Sequence, residues 1–161
     1  PACAILEVWG DPTLDPDYTA EAQRVAGGAL VFRGEFAEED KAKILAEFDV
    51  LLFPSLGLES FGLAAYEAMA AGVPVIASDR GALSELPREC GARFNPEQPE
   101  ELRSLVASVI EKPETLEEWR RNLPRIRGFA EHAEAIEAVY ARVLDRAGSG
   151  NLGEGSGRAE E

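Results

Sequence analysis

The sequence predicts an α/β protein: a parallel sheet with helices on both of its faces. Three observations predict it. Short apolar runs of strand length alternate along the chain with segments of helical periodicity. Around the stretch LLFPSLGLESFGLAAYEAMAAGVPVIASDRGALSE, two such runs, residues 50–53 and 73–77, enclose a turn-rich loop and one helix. A β-loop-α-β unit of that kind closes as a right-handed parallel crossover, and about five strand runs are visible in all.

Taken in order, residues 4–9 form an apolar run that ends at Gly10-Asp11-Pro12, a strand and then a turn. Residues 18–26 predict a helix closed by Gly27-Gly28. Residues 29–32 predict a second strand, ended by Arg33-Gly34. A helix over 37–48 follows. Glu38, Glu39 and Asp40 load its first turn with negative charge, as the helix dipole favours, and Ile44, Leu45 and Phe48 form its apolar stripe. Next come the strand 50–53, the loop 54–60 and a helix over 61–71. Gly72 stands at its C′ position, and Pro74 cannot continue it. After the strand 73–77, residues 78–85 are polar and contain glycine, and 92–94 make a last short strand. From Pro99, Leu102, Leu105, Val106, Val109 and Ile110 recur at i, i+3, i+4, i+7 and i+8, a helical stripe. Pro113 breaks that helix, and another carries Trp119. Pro124 and Gly128 interrupt the chain before a final helix, 129–146, with Phe129, Ala133, Ile136, Tyr140 and Val143 on one face. The domain is expected to span 1–146. Residues 147–161, glycine-rich and without apolar period, are expected to be a disordered tail.

A chain of 161 residues can hold one domain with a real core. Its net charge of −14 argues against nucleic acid or an anionic membrane as the main partner, since both call for basic surface. No apolar run reaches the length of a transmembrane helix. Cys3 and Cys90 have neither metal-ligand spacing nor the pattern of a disulfide framework, so a cytoplasmic protein with free thiols is expected. His132, the single histidine, falls in the last helix, away from the central unit.

The central unit carries the chemistry. Its loop lies where a parallel strand ends and a helix begins, the place where open sheets bind ligands. The first N–H groups of a helix lack partners and carry partial positive charge, so an anion is well placed there. Gly57 and Gly62 permit tight turns and close backbone approach. Glu59 stands in the loop and Glu67 eight residues on, in the helix. Taken singly, Glu59 and Glu67 read as no more than a cap and a solvated helix position, since a lone glutamate is more often solvent-facing than functional. Ala68, Met69 and Ala70 read as packing residues.

The full pattern, E-S-F-G-L-A-A-Y-E-A-M-A-A-G-V-P-V, resembles the C-terminal, donor-binding domain of retaining glycosyltransferases with the GT-B fold, of the glycogen and sucrose synthase type. Pro54, Ser55, Glu59, Phe61, Gly62, Leu63, Glu67, Ala68, Met69, Ala70, Gly72, Pro74, Val75, Ser78, Gly81 and Glu85 all stand where that pattern has them. The resemblance implies a Rossmann-like sheet and a nucleotide diphosphate sugar as donor substrate, with no cofactor and no metal. It implies that Ser60, Phe61, Gly62 and Leu63 line the donor, that Glu67 takes the ribose hydroxyls, and that Glu59 orients the transferred sugar as the catalytic residue. Members of this type show no clear protein nucleophile, so catalysis rests on positioning and on stabilising the departing diphosphate.

The chain also departs from the pattern. The family begins this domain with a further strand and helix carrying an Arg and a Lys-Gly that hold the diphosphate, and neither is found upstream of Leu6. The acceptor-binding N-terminal domain is absent from this chain as well, and Ala82 replaces a frequent second glycine. The isolated chain is therefore expected to bind donor weakly and to transfer sugar poorly or not at all. The alternative is a non-catalytic nucleotide-sugar or protein-binding module of the same fold. A related epimerase needs further acid/base residues that the sequence does not reveal. A dinucleotide-dependent dehydrogenase needs a G-x-G-x-x-G after its first strand, where this chain has W-G-D-P. Arg33 and Arg80, near strand ends, read as phosphate contacts or as surface residues, and Glu85 as a partner of the loop backbone or of the donor.

Overall fold

The computed structural model of the chain describes residues 4–150. The described chain divides into two compact units, one reaching Arg125 and the other starting at Ile126. The first holds five strands and five helices: β1 (Leu6–Trp9), α1 (Pro16–Ala26), β2 (Leu30–Gly34), α2 (Lys41–Ala46), β3 (Leu51–Phe53), α3 (Leu63–Ala70), β4 (Val75–Ser78), β5 (Gly91–Phe94), α4 (Pro99–Glu111) and α5 (Glu114–Arg121). Short 3-10 turns fill Glu38–Asp40, Gly81–Glu85 and Arg88–Cys90. The second unit holds α6 (Phe129–Gly150). This helix runs four residues beyond its expected end at Arg146, and residues 151–161 of the expected tail lie outside the described residues.

Every described pairing is parallel, as expected, but the strands form two sheets where one was expected. β1 pairs β2, with Leu6 opposite Leu30 and Val8 opposite Phe32. β4 lies between β3 and β5, with Ile76 opposite both Leu52 and Ala92. Each crossover helix returns the chain beside the strand it left, α1 for the first sheet and α3 for the second. The short α2 connects β2 to β3 without making them neighbours.

The core belongs to the second sheet. All four residues of β4 are buried, so both of its faces are covered. Ile76 clusters with Phe94, Val109 and Leu116, and Leu102, Leu105 and Trp119 pack against that cluster. The stripe read from the sequence of α4 is the face that packs here. In contrast, no residue described before Gly62 is buried, and α1 buries none of its side chains.

Several element starts differ from expectation for local reasons. α1 begins two residues early because the Asp15 side chain caps it, accepting from the Tyr18 N–H at 2.9 Å, with Pro16 in the first turn. The helix expected over 37–48 is a 3-10 turn and six α-helical residues. Ala37 offers no side-chain cap, and the Glu47 and Phe48 N–H groups bond three residues back, which tightens and ends the helix. α3 starts at Leu63 and not Phe61, because Gly62 takes a left-handed conformation that no helix accommodates. Gly72 does occupy the left-handed position after α3, with φ 86°. Val73 and Pro74 precede β4, yet the Pro74 carbonyl still accepts from the Leu51 N–H at 2.9 Å and extends the ladder.

Candidate functional site

β3 delivers the chain to the loop 54–62, and a neighbouring segment clamps that loop from the side. The Ala82 N–H donates to the Glu59 carbonyl at 2.9 Å. Gly81 presses on the same residue: a Cβ there would sit 2.5 Å from the Glu59 carbonyl oxygen and 2.8 Å from its nitrogen. Arg80 donates to the Leu56 carbonyl at 3.0 Å and pairs with Glu97, so it braces the loop. The Glu59 side chain is held too, accepting from the Ser55 hydroxyl at 2.8 Å on Oε1. The four-residue spacing of Ser55 and Glu59 thus has a local physical meaning, with the hydroxyl holding the carboxylate.

Gly62 is buried and occupies the N-cap of α3 with φ 78°. A Cβ there would lie 2.7 Å from Cδ2 of Leu83, which is wholly buried. No side chain caps α3, so its first N–H groups keep the positive end of the helix open beside Gly62 and Leu63. Ser60, Phe61 and Leu63 are exposed around that end, and the Phe61 ring leans on Tyr66 with centroids 4.9 Å apart.

Glu67 is the fifth residue of α3, little more than one turn from its start. Its Oε1 receives the Lys41 ammonium at 3.1 Å, and the same ammonium lies 2.6 Å from Glu38. The hydrogen bond to Glu38 and then that to Glu67 hold the Lys41 pKa above the ordinary lysine value. Lys41 was not singled out in the sequence. Its i, i+3 spacing from Glu38 was legible, but its partner twenty-six residues away was not.

The two glutamates, one before and one after the start of α3 in sequence, therefore rest on different supports, Glu59 on the loop and the Gly81 segment, Glu67 on α2. Two open hollows lie elsewhere. One of about 420 Å³ is lined by Trp9, Phe36, Asp40 and Lys43 at the C-terminal ends of β1 and β2, and one of about 500 Å³ by Arg93, Gln98, Glu101 and Leu105. Neither is lined by Glu59 or Glu67. Arg33, one of the arginines weighed for phosphate, pairs with Glu7 across the first sheet, which holds that carboxylate below its usual range. Glu85 ends its 3-10 turn exposed. Among the described residues no cluster of three histidine, cysteine, aspartate or glutamate side chains is arranged to hold a metal ion. Nor is any described helix long and apolar enough to cross a membrane.

Fold and site together define a parallel α/β unit that keeps a glycine-softened bend and an uncapped helix start at the rim of its sheet. Residues 3–112 match the family described as Glycosyl transferases group 1, and the chain belongs to that family. The MMP alpha-(1->4)-mannosyltransferase of Mycolicibacterium hassiacum is 32% identical over 117 residues, which are 68% of this chain and 28% of that protein. The phosphatidyl-myo-inositol mannosyltransferase of Mycobacterium leprae is 41% identical over 73 residues, 43% of this chain and 20% of that protein. The crystal structure of Anabaena Alr3699/HepE in complex with UDP and glucose superposes with a TM-score of 0.66 at 23% identity, over 74% of this chain and 34% of that one. The sucrose-phosphate synthase from Thermosynechococcus elongatus also gives 0.66 at 23% identity, over 88% and 38%. These two structures show that the fold is that of GT-B glycosyltransferases, as the sequence pattern implied. The chain spans only 20% to 38% of the length of these four proteins.

Proposed function

We propose that this chain is the donor-binding part of a retaining glycosyltransferase that moves a sugar from a nucleotide diphosphate sugar to an acceptor. The observation that carries the reading is the junction of loop 54–62 with α3, an uncapped helix start behind a buried left-handed glycine, flanked by two carboxylates on separate supports. The donor's diphosphate takes the positive end of α3, against the N–H groups of Phe61, Gly62 and Leu63. Glu67 accepts the ribose hydroxyl protons. Glu59, already fixed on Oε1 by Ser55, keeps Oε2 for the hydroxyls of the sugar. These contacts supply orientation and leaving-group stabilisation, with no metal and no cofactor in the reaction.

Two donor bases come first in a test. Several relatives are named mannosyltransferases, one of them GDP-mannose-dependent, whereas the Anabaena protein was crystallised with UDP-glucose. A thermal-shift screen of GDP-, UDP- and ADP-sugars against the chain is therefore decisive. A ligand at a hundred times its Kd stabilises by about 2.7 kcal/mol, which raises the melting temperature of a chain this size by at least about 5 °C. The expected result is such a shift with one donor, reduced in Glu67→Ala, and little sugar transfer by the chain alone. The absence of a shift with every donor sinks the reading.

A further inference from the structure

Lys41 joins two carboxylates that belong to different elements. Its ammonium, at the first residue of α2, contacts Glu38 one turn back and Glu67 on α3. Lysine has three donors and no acceptor, so both contacts leave it spare capacity. Glu67 is more than a third exposed and Glu38 far more so, and ion pairs that solvent reaches this freely add little to stability. The consequence of the contact is geometric. α3 is one helix face of a packed β-loop-α-β unit, but a glutamate side chain has three rotors, and the sole hydrogen bond described for the Glu67 carboxylate comes from Lys41. That bond uses one position on Oε1, leaving the second lone pair of Oε1 and the whole of Oε2.

We infer that Lys41 is a positioning residue: by holding Oε1 of Glu67 it sets the carboxylate in the orientation that accepts both hydroxyl protons of a ribose diol. This rests on the reading of Glu67 given above. The lysine touches the carboxylate and not the ligand, so its loss weakens the ribose contact specifically. Glu38 in turn restrains Lys41, which explains why a solvated i, i+3 pair sits beside the site.

The test is calorimetric titration of the 161-residue chain with GDP and UDP and with their 2′,3′-dideoxy analogues. Wild type is expected to prefer the ribonucleotide to its dideoxy analogue. Lys41→Met should weaken ribonucleotide binding by about 10-fold, in the range of coupling between contacting groups, and leave the dideoxy analogue unchanged. Lys41→Arg should restore most of the preference. In a Glu67→Gln background Lys41→Met should have no further effect. Equal losses for both nucleotides would mean that Lys41 meets the ligand itself or supports the fold, and an unchanged preference would mean that Glu67 needs no help; either overturns the proposal. A wild-type chain that binds both nucleotides equally, or neither, overturns the reading of Glu67 first, which separates the two failures.

Discussion

Two glycines of the central unit share a left-handed backbone but differ in surroundings, which lets strain be separated from crowding. Gly72, with φ 86°, has nothing within 4 Å of where a Cβ would stand. Gly62, with φ 78°, would drive a Cβ to 2.7 Å from Cδ2 of Leu83, whose side chain has no exposed surface. Gly72→Ala is therefore expected to cost only the left-handed penalty, about 1 kcal/mol. Gly62→Ala adds overpacking to the same penalty and is expected to cost about 2–4 kcal/mol. Urea unfolding of both variants measures the difference, and equal costs would mean that Leu83 yields. Ser55 and Glu59 act at the same scale, since one hydroxyl four residues upstream holds one oxygen of the loop carboxylate.

Between elements, the decisive contrast is burial. The buried apolar side chains of the described residues run from Ala65 to Leu116, on α3, β4, β5, α4, α5 and the turns among them. β1, α1 and β2 bury none, and Leu14, Tyr18 and Val25 around α1 are largely exposed. Amide hydrogen exchange should follow that division. Amides of β4 and β5 are expected to exchange only with global unfolding, and those of β1 and β2 by local opening at least about 100-fold faster. Uniform protection across both sheets would contradict it. The same contrast marks what was legible in the sequence. Periodicity located α4 and its packing face, and the order of strands and helices followed from apolar runs and their glycine and proline stops. Gly72 was legible because its chemistry is local. The split into two sheets was not, because apolar runs identify strands but not their neighbours. Nor was the start of α3, because a glycine in sequence does not reveal the sign of its φ. At the candidate site the motif singles out Glu59 and Glu67, whereas Lys41 comes into view only when folding brings α2 against α3.

At the scale of the whole molecule, charge governs. Thirty acidic residues face sixteen basic ones, and the net charge is −14. Lys41 is shared by two carboxylates at the candidate site, and the two arginines read from the sequence as phosphate contacts or surface residues are each paired, Arg33 with Glu7 and Arg80 with Glu97. These pairs put favourable and unfavourable terms in opposition. Arg24–Glu21 and Arg103–Glu100 are well exposed on both partners, and pairs of that kind add little to stability. Salt weakens them, but it also screens the repulsion among the surplus carboxylates, which acts over every pair within a Debye length and destabilises the compact state. That length falls from about 30 Å at 0.01 M to about 10 Å at 0.1 M, from the span of a domain to that of a few side chains. Over this interval the long-range repulsion is lost before the contact pairs are. The melting temperature is therefore expected to rise with sodium chloride from 0.01 to 0.15 M by about 2–4 °C, equivalent to roughly 1 kcal/mol for a chain of this size. Differential scanning calorimetry at pH 7 without added nucleotide measures it. A fall over the same interval would mean that the ion pairs outweigh the surplus of negative charge, and that the acidic surface is organised more tightly than its exposure implies.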